Sequence, residues 1–454
     1  MKKQALRGVF DVDGRRVPGI LTLNGRKSKF ELWSDEFFSV GKGAVLGTTT
    51  EAKGVSVLDC LPTPASEAVL ARGRSAHRAN IRFQLAIVGD GKRLQAEDES
   101  IVAIRFEFDE MKRVARLGLH ALYGFVRDPD PRIVDSLKRY KPEYATEIES
   151  PSAIIYFGKD PTVLPRTPVE IGTVSVTRGL EGRLSGDVAL SDKASVTVEF
   201  QHPVTVHVAL SHMRTLRSFF TLVIGHLPTV QVAEIATAWN APENGVRRPE
   251  FNLQVYSTVE RVLRKEYLRH RMSGRCLLDC ANQERTVELA TVMHAWFRKN
   301  TDPKIRDANW QFFDCFRRSF YSSDRIVAAA NTFDLLPKSD WPHPRLKDLK
   351  KKVRAKADVL LGEIGRADLP RLYEVTDHAI DCRNHYVHGK ASKLNYEDAG
   401  VFIFLTDTLE FVYGVSQLIE CDWNSECLRG MHSADHPFAR YLDSYGERLS
   451  ASGI

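Results

Sequence analysis

The sequence lacks any apolar run near the roughly 20 residues that a membrane-spanning helix needs. Its most apolar stretches, such as 219–225 and 401–405, are short and stand among polar residues. No membrane segment is expected on this ground. The N-terminal stretch carries Lys2 and Lys3 but no apolar h-region, so no secretory signal is expected either. Cysteine is sparse: Cys60, Cys276, Cys280, Cys315, Cys382, Cys421 and Cys427 make seven in 454 residues. An odd, scattered set argues against a disulfide framework and suits reduced thiols in the cytoplasm, where this reading puts the protein. With 29 glycines and 20 prolines, the chain is neither collagen-like nor of low complexity. A large one-sided charge is missing too. The 64 basic and 58 acidic residues leave +6, too little for a histone-like polycation, though local basic patches stay open. Also absent are a Walker-type Gly-rich Lys-Ser/Thr loop, Gly-x-Ser-x-Gly and His-Glu-x-x-His. Nucleotide hydrolysis, serine hydrolysis and zincin proteolysis are thereby disfavoured.

What is there is globular: 43% hydrophobic and 27% charged residues. At roughly 150 residues per domain, two or three domains are expected. The first part reads as antiparallel β. Ile20 to Leu23 leads into Asn24-Gly25, a two-residue hairpin signal, and Phe30 to Trp33 follows. Val102, Ile104, Phe106 and Phe108 alternate with polar residues, as do Val196, Val198 and Phe200, and Val204, Val206 and Val208. Period two means one buried face and one wet face. A short helix is expected between Glu110 and Leu117. After about Ser211 the apolar spacing shifts to three and four, and strand signals fade. Leu216, Phe219, Phe220 and Val223 share a helical face, and so do Val255, Val259 and Val262. Thr286 to Phe297 is another helix. Later helices are expected over Ala308–Asn331, Pro344–Ile364, Pro370–Gly389 and Tyr396–Leu418, with Pro370 in a first turn and Gly389 at a C-terminus. The fold class is α+β: an N-terminal antiparallel β-rich domain over 1–211, a helical connecting region over 212–306, and an all-α, four-helix-type bundle over 307–454.

The chemistry concentrates in Asp381-Cys382-Arg383-Asn384-His385-Tyr386-Val387-His388-Gly389. On a helix, Leu372, Val375, Ala379, Cys382 and Tyr386 form a buried face, so Tyr386 has a packing role. Asp377, Asp381, Asn384 and His388 form a polar stripe beside Arg383. An imidazole, a permanent guanidinium and an amide thus gather at one helix end. They suit a phosphodiester: His can move a proton at neutral pH, and Arg can hold non-bridging oxygens as charge builds. The bare Arg-to-His spacing is common, recurring at Arg72–His77, Arg113–His120, Arg264–His270 and Arg429–His436, but none of these has Asn after Arg. The plainer reading is a capped, solvated helix end, since Arg and His also favour a helix C-terminus.

The context of this Arg-Asn-x-x-x-His resembles the HEPN superfamily, whose ribonuclease members carry such a motif late in a helical bundle. More narrowly, the layout is similar to ApeA-type antiphage proteins. Their long β-rich N-terminal domain is matched by Gly8-Val9-Phe10, Pro18-Gly19-Ile20-Leu21 and the Leu216–Leu222 helix. The resemblance implies metal-independent endoribonuclease activity with no cofactor. A 2′-hydroxyl attacks the adjacent phosphate and leaves a 2′,3′-cyclic phosphate. By the same resemblance His388 is the general acid/base, Arg383 stabilises the phosphorane-like state, and Asn384 orients substrate or His388. Asp377, Asp381 and His385, near them on the same helix, are expected to play a supporting part. It also implies a homodimer with a composite cleft. An unrestrained ribonuclease is toxic to its own cell, so the enzyme is expected to be held in check until infection, with a phage-derived trigger as the candidate partner.

Other residues compete for attention. Arg345, Lys347, Lys350, Lys351, Lys352, Arg354 and Lys356 form a basic run. It reads either as a solvated face or as a phosphate track for RNA. Arg261, Arg264, Lys265, Arg269, Arg271 and Arg275, with Tyr267, form a second basic segment. Cys421, Cys427, His432 and His436 have a loose zinc-like spacing, and Cys276 and Cys280 stand near His294, but neither set has a tight Cys-x-x-Cys knuckle. Two rival functions remain: a non-catalytic HEPN module for RNA binding or dimerisation, and a toxin controlled by a partner antitoxin.

Overall fold

The computed structural model describes residues 3–64, 66–71, 74–108, 110–115, 121–126, 131–140, 142, 153–158, 162–185, 187–240, 247–258, 275–316, 320–341, 348–391 and 394–454. Among them, fourteen strands form one antiparallel sheet, and two further strand pairs stand apart. The first hairpin joins Gln4–Val12 to Arg15–Leu23 through Asp13-Gly14, both at positive φ (48° and 76°). That is the geometry of a tight primed turn, which an Asp-Gly pair favours. Arg15–Leu23 then pairs with Lys29–Ser34, with Leu21 opposite Phe30. The hairpin expected at Asn24-Gly25 therefore exists, but its loop spans 24–28. Ser28 Oγ accepts from the Asn24 amide at 2.8 Å and donates to the Gly25 carbonyl, which closes this longer turn.

The sheet faces two cores. Its first part closes around Phe10, Leu21, Phe30, Leu32, Val55 and Val57. Its second part shares one core with the helices, running from Leu58 to Leu449 without a break at 211 or 307. Two strands lie beyond Ser211, where the apolar spacing turns helical. Val230–Trp239 and Pro249–Ser257 return to the sheet, the former pairing with Ile101–Phe108 and the latter with Leu85–Asp90. Val255 is therefore a strand residue, and Val259 and Val262 lie outside the described residues. Conversely, the expected strand at Val204, Val206 and Val208 ends at Val204. Thr205 caps a helix there, its side chain accepting from the Val208 amide, so Val206 and Val208 are helical.

Ten α-helices are described: α1 (Met111–Val114), α2 (Pro131–Tyr140), α3 (Val206–Ile224), α4 (Gln283–Lys299), α5 (Pro303–Phe316), α6 (Ser323–Leu335), α7 (Leu349–Glu363), α8 (Leu372–His388), α9 (Ala399–Ile419) and α10 (Pro437–Ser452). The helix expected over 308–331 is two, α5 and α6. Helix α8 starts after Pro370, with Arg371 as its cap at φ 57°, and ends on left-handed Gly389 as expected. The C-terminal helix α10 had no distinct sequence signal. Helix α9 corrects the reading of the apolar runs. Its 21 residues are long and apolar enough to cross a membrane, yet 78% of its most apolar window is buried inside the fold. Its two carboxylates are both paired. Glu410 takes two hydrogen bonds from Arg325, each 2.7 Å, and Asp407 accepts from Tyr321 and Arg448. Pairing of this kind is what makes a buried charge tolerable. At Gly414 a Cβ would lie 2.4 Å from the Phe438 ring, so the absent side chain lets α10 close on α9.

His436 caps α10 from a fully buried position. Its Nδ1 accepts from the Phe438 amide at 3.1 Å, and its Nε2 donates to the Leu222 carbonyl at 2.9 Å. Burial, with Arg113 and His226 adding positive charge nearby, pushes its pKa down to about 3 against the opposing pull of the Leu222 carbonyl. The unfolded ring binds a proton below about pH 6.5, whereas the folded ring does not. Stability is therefore full above that pH and falls as pH drops from about 6.5 towards 3. At pH 5 the expected loss from this group is about 2 kcal/mol. Thermal melts from pH 7.5 to 4.5 should show the decline, and His436→Asn should flatten it; a variant as acid-sensitive as wild type refutes the assignment.

Candidate functional site

Helix α8 buries Leu372, Val375, Ala379 and Cys382, which fixes its rotation and turns Arg383, Asn384 and His388 outward. Tyr386 is half-buried, its ring edge-on to Phe402 and its hydroxyl donating to the Tyr396 carbonyl, the packing role expected of it. Arg383 is the hub. Its Nη1 donates to Asn384 Oδ1 at 3.0 Å and contacts His388 Nε2 at 3.1 Å. Its Nη2 donates to Asn331 Oδ1, on α6, at 3.1 Å. A guanidinium can only donate. His388 Nε2 must therefore be the acceptor in this contact, with the ring proton on Nδ1, so Nε2 keeps the lone pair a general base uses. Arg383 thus touches both Asn384 and His388, and α6 supplies a fourth residue. Asn331 stands 52 positions away in sequence. Nothing in the local pattern marks it; only the packing of α6 on α8 brings it to the site.

The supporting residues do other work. His385 Nδ1 contacts the Lys390 carbonyl at 2.8 Å and its ring packs on Tyr386 and Tyr396, so it fastens the chain beyond α8. Asp377 pairs with Arg354 and Asp381 with Lys350, both across to α7. Those pairs tether α7 to α8.

The same contacts change the reading of the basic run. Lys352 pairs with Asp334, and Lys356 is 2% exposed, held by Asp340 at 3.0 Å and Glu420 at 2.6 Å. Lys356 is a core ion, out of reach of a phosphate track. Lys350 and Arg354 carry internal partners as well, which leaves Lys351 exposed on α7 without an ion pair among the described residues. Arg345 and Lys347 lie outside the described residues, as do Arg261, Arg264, Lys265, Tyr267, Arg269 and Arg271.

The suggested zinc set does not assemble. Among the described residues no three His, Cys, Asp or Glu side chains are grouped to hold a metal. Both ring nitrogens of His436 are taken by backbone, and Cys427 Sγ contacts the Leu277 carbonyl. Burial pushes the Cys421 and Cys427 thiols up to about 12, so neither is a ready thiolate. In the other set, His294 Nδ1 faces the Pro168 carbonyl.

Comparison with known families adds an independent observation. Residues 7–231 match the family model for ApeA N-terminal domain 1. The chain carries an ApeA-family N-terminal domain. The match covers every strand of the large sheet up to Asp187–Val204, helix α3 and the start of the strand at Val230. It stops well before α6 and α8, so the Arg383 cluster lies outside the matched residues. No curated protein and no solved structure matches the chain.

Lys356→Ala removes a buried cation between two carboxylates and should destabilise the protein by about 3–5 kcal/mol. Lys351→Ala should change stability by less than about 0.5 kcal/mol. Chemical denaturation of both variants checks this; equal, small effects would return Lys356 to the surface.

Proposed function

We propose that the C-terminal bundle is a HEPN-type endoribonuclease and that the protein serves antiphage defence in the cytoplasm. The observation that carries this reading is the contact of Arg383 Nη1 with both Asn384 Oδ1 and His388 Nε2 at the exposed end of α8. The ApeA-family N-terminal domain and the all-α bundle support it. In the proposed reaction His388 Nε2 takes the proton of a ribose 2′-hydroxyl. The 2′-oxygen then attacks the adjacent phosphorus, and the P–O5′ bond breaks. The 5′-oxygen leaves with a proton from solvent, His388 returns the proton it took to solvent, and the other fragment ends in a 2′,3′-cyclic phosphate. Arg383 turns from His388 to the non-bridging oxygens while Nη2 keeps its hold on Asn331, which limits how far the guanidinium strays. Asn384 is left to orient His388 or the sugar.

The homodimer belongs to the same proposal. Val387 on α8 and Leu335 on α6 are 43% and 40% exposed, an apolar margin beside the cluster that a second copy would cover. Two α8 ends would then line one cleft. The ApeA domain is proposed to sense infection and to restrain cleavage until then.

Purified protein incubated with total RNA and EDTA should leave cyclic phosphate ends. His388→Ala and Arg383→Ala should each cut at least about 10²-fold more slowly, the low end of the contribution of a positioned proton-transfer group. His388 is exposed, so its thermal midpoint should stay within a few degrees of wild type, on the order expected for surface substitutions. Full cleavage by both variants would sink catalysis at this site; loss of wild-type cleavage in EDTA would point to a metal enzyme. Asn331→Ala should lower kcat roughly tenfold with KM little changed, by an expected loss of about 1.4 kcal/mol of orientation.

A further inference from the structure

A second surface on the molecule has the chemistry of a phosphate binder, and apart from Thr258 its lining lies in the ApeA domain, with no residue of α6 or α8. An open cleft of about 710 Å³ sits where the Lys29–Ser34 strand begins and the Arg74–Ile81 strand ends. Its lining includes four cations, Arg26, Lys29, Arg78 and Arg82, against one carboxylate, Glu31. That surplus of three occupies one cleft of a chain whose whole surplus is +6. Glu31 is already paired with Arg78. Arg26, Lys29 and Arg82 are exposed and make no ion pair among the described residues. Unpaired like charges gathered in a concave site repel one another, and an anion in the cleft relieves that repulsion.

The arrangement is ordered by the sheet. Phe30 and Leu32 point into the core, as do Ala79 and Ile81 on the neighbouring strand. Lys29, Glu31 and Trp33 therefore share the outer face with Arg78 and Asn80, and Arg82 continues that row. Glu31 stands opposite Asn80, and Trp33 opposite Arg78. Phe30 pairs with Ile81, so Lys29 and Arg82 follow that pair on facing strands, and Arg26 approaches from the 24–28 turn. A cleft of this size admits one extended phosphate backbone more readily than a duplex. An acidic peptide fits less well. The Lys29–Ser34 strand is hydrogen-bonded on both sides, to Arg15–Leu23 and to Arg74–Ile81, so no free backbone edge exists here for an added strand.

We propose that this cleft binds the phosphate backbone of single-stranded nucleic acid, with Arg26, Lys29 and Arg82 as the phosphate ligands. The inference does not depend on whether α8 cuts RNA. It is tested on the full chain carrying His388→Ala, which prevents cleavage during the measurement. Fluorescein-labelled 12-nucleotide RNA and DNA single strands of the same sequence, and the DNA duplex, serve as probes in a salt series. The single strands should bind more tightly than the duplex, and the RNA and DNA arms decide which is the source. Replacing Arg26, Lys29 and Arg82 together by serine should weaken binding at least tenfold. The slope of log affinity against log salt should shrink by about 2, or about 0.7 for each lost phosphate contact. Lys29→Arg, which keeps the charge, should retain binding. Unchanged affinity and slope in a triple variant that melts like wild type overturn the proposal. So does binding of polyglutamate as tight as that of the RNA, which would make the face a dock for an acidic protein.

Discussion

Helix α9 has no polar face, and the bundle is built around that constraint. An all-round apolar helix must be covered on every side. Helices α6, α7, α8 and α10 supply the cover, each packing directly against it. The two carboxylates on α9 are neutralised from its neighbours, Glu410 by Arg325 on α6 and Asp407 by Arg448 on α10 and the Tyr321 hydroxyl. Because α6 and α8 must both lie on α9, they also lie beside each other. Asn331 and Arg383 meet as a result. The cluster at the end of α8 is thus a by-product of burying α9.

That packing also disposes of charge in an uneven way. The basic helix α7 spends most of its cations on carboxylates of α8, of the 334–340 segment and of Glu420. Desolvation raises the pKa of Glu420 less than Lys299 and Lys356 lower it, so its carboxyl sits below the usual range. The surplus cations that face water are found elsewhere, among them the outer face of the sheet in the ApeA domain. A nearly neutral chain can therefore carry a cationic surface, provided its other cations are turned inward.

Local patterns were readable where one residue type decides one local geometry. The period-two runs at Ile104–Phe108 and Val196–Phe200 are strands, the buried face of α8 is the one its spacing indicates, and Gly389 ends that helix at positive φ. The readings that missed were those where neighbours outweigh the pattern. Val206 and Val208 alternate like a strand, but the Thr205 cap starts a helix. The strands at Val230 and Pro249 were obscured by the helical spacing around them, and sheet partners distant in sequence settle their state. The basic run resembled a phosphate track because spacing does not reveal which carboxylates a fold will bring opposite.

By itself, then, the sequence determined the α+β class, the segregation of an antiparallel N-terminal part from a helical C-terminal part, and the gathering of Arg383, Asn384 and His388 on one helix end. These follow from side-chain periodicity and from residues within one or two helical turns of each other. Only the tertiary structure decided that Asn331 joins them, that Lys356 and His436 are buried, that Cys421, Cys427, His432 and His436 stay apart, and that Arg26, Lys29 and Arg82 share a cleft. Each of those outcomes depends on long-range packing, where burial and partner charges far away in the chain set what a side chain can do.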